Sequence, residues 1–337
     1  MASSIRDVAR RAGVSVGTVS NVINRPQSVS ADIRARVTAA IDELGYVRSE
    51  SARQLRAGRS RFLALLVLDM ANPFFVELAR GAEQAARAAG LAVMLCTSSQ
   101  DPALETKYLS LFAEQRVRGV LVTPTDGVTV EPLRRHDIPY VMVDRGAGSE
   151  LSCSVSVDDV QGGLLAMRHL TTAGHTNIVY VSGPPELAQC RDRETGARAA
   201  LAGAGLPTDT LTVITVSQMT VAAGRDAGSR LLGLAQRPTA VFCANDLIAL
   251  GVLQAMFAAG VRVPDEMAIV GYDDIEFAAA AAVPLTSVRQ PAYRMGHIAA
   301  ELLVEETNDP DHRHRRVILP TELVVRASSL KRFIRAR

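Results

Sequence analysis

Four apolar runs in this sequence end on acids or amides. FLALLVL leads to Asp69, YVMV to Asp144 and Arg145, AVFCA to Asn245 and Asp246, and AIVGY to Asp273 and Asp274. Carboxylates and amides exchange hydrogen bonds with hydroxyl groups, and an arginine forks across two acceptors at once, so the set suits a small polyol. Asn72-Pro73-Phe74-Phe75, just after the first run, adds aromatic faces that could cover the apolar side of a ring. Each polar residue taken alone fits the cap of a following helix equally well, and Phe74 or Phe75 could be core. Four in series, with an arginine among them, favour a site.

A second chemistry lies near the N-terminus. Val16, Gly17 and Asn21 sit where a short helix would present its first turns, with Ser15, Thr18, Ser20 and Arg25 around them. An asparagine can bridge N6 and N7 of adenine, and a valine can touch a thymine methyl. Hydroxyls and an arginine position the phosphate backbone instead. The alternative for this face is that Val16 packs inward and Asn21 meets only phosphate. Charge points the same way as the motif: residues 1–61 carry 11 Arg against 5 Asp or Glu, a net of +6, whereas the remainder is net −4. A basic head on a mildly acidic body suits a polyanion partner for the head alone.

The elements that would hold these groups are legible in the spacing. Ser4 and Asp7 form a capping-box-like start, Ile5, Val8, Ala9 and Ala12 recur at helical intervals, and Gly13 ends the helix. Ser15 caps a second helix with Val19, Val22 and Ile23 inward, and the two helices joined by a glycine turn make a helix-turn-helix. Ser30 is placed to cap a third, with Ile33, Val37, Ile41 and Leu44 in one stripe and Gly45 closing it. From Phe62 onward FLALLVL, LAVMLCTS, GVLVTP, YVMVD, NIVYVSG, LTVITV, AVFCAND and AIVGYDD alternate with helical stretches. Buried strands alternating with helices give an α/β body of doubly wound parallel sheets, and their number exceeds one sheet of usual size, so two lobes are expected. In such sheets ligands bind at the carboxyl ends of the strands, where the acids and amides above would converge.

Several classes are disfavoured. The chain contains no GxxxxGK[ST], HExxH or GxGxxG, so an enzyme is a weak alternative despite the paired acids. Cys96, Cys153, Cys190 and Cys243 are scattered without a CxxC pair, which speaks against a disulfide framework or a zinc module. His312 and His314 in HRHRR read as a solvated basic loop before they read as a metal pair. His169 and His175 flank a helix end, where structural roles are the default. No cofactor is expected. No run approaches the roughly 18–20 apolar residues of a membrane span, and the start meets acid and glycine before a secretory segment could form. A cytoplasmic protein is expected, which also disfavours an exported binding protein.

IRDVARRAGVSVGTVSNVINRP followed by LGYVRSESARQLRAGRS resembles the head and linker of the lactose-repressor (LacI/GalR) family of bacterial regulators. The resemblance implies a homodimer on near-palindromic operator DNA, with residues 1–47 as the DNA-binding head, 48–60 as a hinge helix and 61–337 as a two-lobed effector and dimerisation domain. It makes Leu55 a minor-groove wedge, with Ala52, Arg53 and Arg56 beside it. An apolar wedge that unstacks a central base step, with arginines holding phosphate, is physically coherent. The sequence departs from the family at Arg48-Ser49, where Pro-Asn is usual, and at Asn21, where arginine is common. The body, through HLTTAGHTNIVYVSG, PLTSVRQP and LPTELVVRASS, is similar to the periplasmic sugar-binding proteins, most closely those for ribose. That similarity implies effector contacts from Asn72, Phe74, Phe75, Asp144, Arg145, Arg191 or Arg193, Asn245, Asp273 and Gln290. Near Met219 a second aromatic is usual. VVRASSLKRFIRAR carries no leucine heptad, so a dimer is expected rather than a tetramer.

Overall fold

The computed structural model describes residues 3–46, 60–125, 129–145, 151–309 and 311–330, and its two compact units divide between Ser60 and Arg61. In the first unit α1 spans Ile5–Ala12, α2 Val16–Asn24 and α3 Ala31–Leu44. Ser4 and Asp7 close a full capping box: the Ser4 amide donates to Asp7 Oδ2 at 3.0 Å, and the Asp7 amide donates to Ser4 Oγ at 3.4 Å. Gly13 leaves α1 with φ of 66°, a left-handed conformation that costs a side-chain-bearing residue dearly. Arg36 of α3 donates to the Ala12 carbonyl at 2.6 Å and so satisfies the end of α1. Val8, Ala12, Val19, Val22, Val37 and Ala40 interlock as the head's own core, with Ile33, Ile41 and Leu44 half-buried around it. Ser30 behaves differently from its expected role, because its side chain makes no capping bond; Asp32 supplies the negative charge in that first turn.

The second unit is two α/β lobes. In the first lobe β1 (Phe62–Val67), α4 (Pro73–Ala88), β2 (Ala92–Thr97), α5 (Pro102–Glu114), β3 (Gly119–Val122), α6 (Glu131–Arg134), β4 (Tyr140–Val143) and β5 (Cys153–Val157) follow in order. The second lobe holds α7 (Asp159–Thr172), β6 (Ile178–Ser182), α8 (Ala188–Gly203), β7 (Thr212–Thr215), α9 (Val221–Leu232), β8 (Ala240–Cys243), α10 (Asp246–Ala258), β9 (Ala268–Asp273), α11 (Glu276–Ala280) and β10 (Thr286–Arg289). The chain then returns to the first lobe for α12 (Ala292–Asn308) and β11 (Arg316–Leu319), and ends in the second with β12 (Glu322–Val324). The sheets run β11-β5-β4-β3-β1-β2, all parallel, and β12-β10-β9-β8-β6-β7, parallel but for β12.

The eight apolar runs of the sequence form β1–β4 and β6–β9. The four strands they missed lack an unbroken apolar run: CSVSV alternates serine, and β10–β12 carry Thr286, Arg289, Arg316 and Glu322. Three crossings, after β5, β10 and β11, join the lobes. Such multiple crossings permit hinge closure about a cleft without unfolding either core. Among the described residues no helix is long and apolar enough to cross a membrane.

Candidate functional site

The head presents its chemistry outward. Ser15 Oγ accepts from the Thr18 amide at 3.0 Å, which fixes the start of α2, and buried Val19 and Val22 fix its roll. That orientation leaves Ser15, Val16, Gly17, Asn21 and Arg25 exposed, with Thr18 and Ser20 half-buried beside them. Val16, 38% exposed, does not pack inward. The side chains of Asn21 and Arg25 form no hydrogen bond or ion pair among the described residues, and so remain available to an external partner. Gly17 is informative because nothing inside the head requires it: a Cβ there would meet only Ser15 Oγ, at an ordinary 3.6 Å. A glycine without an internal reason leaves the start of α2 open to close approach from outside. Gly13-Val14-Ser15-Val16-Gly17 also spells the G-x-S-x-G of hydrolase nucleophile turns, but here a helix, not a strand, precedes it, and Ser15 Oγ is engaged as a helix cap.

In the body, Asp69, Asn72, Phe74, Asp144, Arg193, Asn245, Asp273 and Gln290 do converge, at the carboxyl ends of the strands, on one cleft of about 460 Å³ counted to its open mouth. Two of the amides are structural. Asn72 Oδ1 accepts from the Phe74 amide at 3.0 Å, and Asn245 Oδ1 accepts from the Ile248 amide at 2.9 Å, each capping its helix. Asn72 also reaches across the lobes, donating from Nδ2 to Asp273 Oδ2 at 3.1 Å. Asp69 Oδ1 accepts from the Ala71 amide at 2.8 Å, an Asx-type turn at the rim. Phe74 and Phe75 meet edge to face at 5.0 Å, both buried.

Asp144 and Asp273 are the acids that cap nothing, and both hold a positive φ, 59° and 102°, that turns their side chains out of the strand line. Gln189 Nε2 donates to Asp144 Oδ2 at 2.9 Å, and Gln290 Nε2 donates to Asp273 Oδ1 at 2.8 Å. Asp144 Oδ1, Gln290 Oε1 and Gln100 Oε1 are buried with no hydrogen-bond partner. Burial drives the Asp144 carboxyl well above its ordinary range, reinforced by the nearby Asp159, and burial lifts Asp273 to about 6 against the pull of Arg193. Arg193 is itself buried. Burial opposes its charge, but Asp159, with Oδ1 at 2.8 Å from Nε, holds it firmly protonated; its guanidinium lies 3.6 Å over the Tyr272 ring and donates to the Ala244 carbonyl at 2.6 Å. The reciprocal glycines Gly163 and Gly196 let α7 and α8 touch backbone to backbone, where a Cβ would fall about 2.0 Å or 1.9 Å from a carbonyl, and this contact sets Asp159 against Arg193.

Over residues 4–49 the sequence matches the bacterial regulatory proteins of the lacI family, and over 167–329 the periplasmic binding protein-like domain. The HTH-type transcriptional repressor PurR of Photobacterium profundum is 36% identical over 330 residues, 97% of this chain and 98% of that protein. The chain belongs to the lacI family of bacterial regulatory proteins. It is a DNA-binding transcriptional regulator with a ligand-binding body. Among solved structures, the transcriptional regulator CelR in complex with cellobiose shares 34% identity with a TM-score of 0.75, covering 97% of this chain and all of that one. The lac repressor dimer bound to operator and the anti-inducer ONPF shares 25% identity with a TM-score of 0.83, covering 98% of this chain and all of that one.

Within this lacI-family body, two expected effector contacts fall elsewhere. Arg191 is exposed and donates to the Pro185 carbonyl, because the two-residue step from Arg193 along α8 turns it about 200° round the helix, away from the cleft. Arg145 lines a polar recess beside the cleft, which shares Asp144 and Gln189 with it and adds Asp158, Asp192 and Arg316. Asp246 and Asp274, the second acids of their pairs, are structural: Asp246 Oδ1 accepts from Ser287 at 2.7 Å, and Asp274 pairs with Arg289 and Arg326 at 2.8 and 2.6 Å. The sequence reading missed Gln100, Gln189, Asp159 and Tyr272. Gln189 begins a helix without any local signal, whereas a lone arginine inside the otherwise small-residue face of α8 could have prompted a search for Asp159. The histidines have partners, His169 with Ser329 at 2.7 Å and His175 with Thr239 at 2.8 Å. The expected hinge residues Arg48, Ser49, Ala52, Arg53, Leu55 and Arg56 lie outside the described residues.

Proposed function

We propose that this regulator is a homodimeric repressor whose operator affinity is set by a small, uncharged, hydroxyl-rich ligand, a sugar, held between the lobes. The observation that carries this reading is the set of buried polar oxygens without partners at the cleft, Asp144 Oδ1 and Gln290 Oε1 above all. Buried polar oxygens cost free energy until a partner arrives, so they select a ligand rich in O–H groups, which both donate and accept. Among the described residues no unpaired cation lines the cleft, since Arg193 is held by Asp159, and this disfavours phosphorylated or carboxylated effectors. Phe74 supplies a face for the ring, and Met219, 3.9 Å from Cys190 Sγ, supplies a soft wall opposite. The cellobiose held by CelR supports a sugar as the ligand class.

In this reading residues 1–47 bind the operator, 48–60 join head to body with Leu55 wedged at the operator centre, and 61–337 sense the ligand and dimerise. Asn21, Val16 and Gly17 read base edges, while Ser15, Thr18, Ser20 and Arg25 hold phosphate. Two heads are needed because one module buries too little surface for specific affinity at cellular salt. The acids of the cleft hold ligand hydroxyls and catalyse nothing, and the protein acts in the cytoplasm, where its operator is. A thermal-shift panel of pentoses, hexoses, cellobiose, nucleosides and sugar phosphates tests the reading. An uncharged sugar at 100 times its Kd should stabilise the fold by about 2.7 kcal/mol. A shift produced only by phosphorylated ligands would overturn it.

A further inference from the structure

Away from the cleft, at the opposite, N-terminal end of the first lobe's sheet, four side chains from two distant parts of the chain gather. Cys153 opens β5, Glu306 lies in the last turn of α12, and His312 and His314 stand in the segment leading to β11. Strand pairing forces the meeting. β11 runs beside β5 with Arg316 opposite Ser154, the Ser154 amide donates to the Arg315 carbonyl at 3.0 Å, and the Arg315 amide donates to Cys153 Sγ at 3.2 Å. That register lays His312 Nε2 3.2 Å from Cys153 Sγ and His314 Nδ1 4.0 Å from Glu306 Oε1. One donor atom from each of the four lies within 4.8 Å of the other three.

We propose that Cys153, Glu306, His312 and His314 form a binding site for a borderline divalent metal ion, Zn²⁺ by preference. A tetrahedral ion with bonds of about 2.0–2.3 Å sets its ligand atoms roughly 3.3–3.8 Å apart, so short rotations of side chains would close this cluster onto a metal. A thiolate and two imidazoles select zinc or cobalt over magnesium and calcium, which prefer oxygen donors alone. One thiolate and one carboxylate balance the two charges of the ion. A second, independent observation points the same way: Glu306 Oε2 is buried with no partner, an acceptor aimed at nothing in the protein. Its carboxyl is pushed up to about 7 by burial, burial likewise raises the Cys153 thiol, and burial with the neighbouring His312 lowers His314. Metal entry would release the thiol proton, and that of Glu306 where present, to solvent as the ion sheds its waters. Bound metal would clasp β5, the end of α12 and β11 just before the last crossing between the lobes.

The test uses the full chain, dialysed against chelator under a non-thiol reductant, and titrated with Co²⁺. One equivalent per chain should bind, with the strong visible bands of a four-coordinate ion and a near-ultraviolet thiolate-to-cobalt band, and Zn²⁺ should displace it. Cys153→Ser should remove the thiolate band. His314→Ala, at a partly exposed ring whose loss leaves the core intact, should weaken binding at least about tenfold. Cys96→Ser and Asp273→Asn should change neither, which separates this site from the half-exposed Cys96 thiol and from the cleft. Weak six-coordinate bands, no saturable binding, or a thiolate band that survives both Cys153→Ser and His314→Ala would overturn the proposal.

Discussion

The head and the body solve opposite problems with the same residue types. In the head the core is complete without Val16, Gly17, Asn21 or Arg25, which stand exposed and open to a partner from outside. In the body the polar groups at the cleft are buried, interlocked and in places lacking partners. An exposed site costs its unit little stability, while a buried polar site remains strained until filled. Substitutions at the two should therefore move stability and binding in different proportions.

The largest effect is expected at Arg193. Arg193→Ala would strand Asp159 in a buried position, a loss of about 3–5 kcal/mol seen as a lower denaturation midpoint of the body. Asp273→Asn comes next. It should abolish ligand-induced thermal stabilisation, weakening effector binding by roughly 100-fold, while the ligand-free protein keeps its affinity for DNA. The same variant should show the linkage of this acid. Its folded-state value of about 6 lies above the ordinary 3.8, so its contribution to stability is complete below pH 4 and is lost as pH rises through 6. Unfolding midpoints measured from pH 4.5 to 8 should flatten in Asp273→Asn, by on the order of 2 kcal/mol across that range. Effector binding to wild type runs the other way and should weaken below pH 6, where the protonated acid is a poorer acceptor.

In the head, Asn21→Ala should cost about 1–3 kcal/mol of discrimination at one base position in each half-site, measured by binding to single-base operator variants, with melting unchanged. Gly17→Ala is the smallest and most diagnostic change. It should stabilise the isolated head's melting by about 0.5–1 kcal/mol and yet weaken operator binding, because the added methyl stands in the path of the duplex. Tighter binding on this substitution would break the contrast between the two regions.

What the sequence disclosed follows the same divide. Capping box, glycine turn and apolar stripes are local, so the head's helices were legible, as was the exposed face of α2 once Val19 and Val22 were assigned inward. The eight core strands were legible for the same reason. The alternating serines of β5 and the charged ends of β10–β12 hid those strands, whose assignment depends on neighbours in space. At the cleft, strand-end position brought Asp144 and Asp273 to the lining but could not separate them from the neighbouring Asp246 and Asp274, whose tertiary partners Ser287 and Arg326 hold them in structural roles. Arg191 and Arg193 are two steps apart on a helix, and only its packing decides which faces in. The meeting of Cys153 with His312 rests on a strand pairing across some 160 residues, which no local pattern announces.

Selecting duplexes from a random pool with the full-length protein, and measuring affinity for the winners against salt, shows whether the head reads DNA sequence. The selected sites should converge on two half-sites related by a twofold, with log K falling steeply and linearly with log salt and at least about 10³-fold preference over scrambled duplex. Selection that fails to converge, or binding equal for selected and scrambled duplex at every salt concentration, would show that the head does not read sequence.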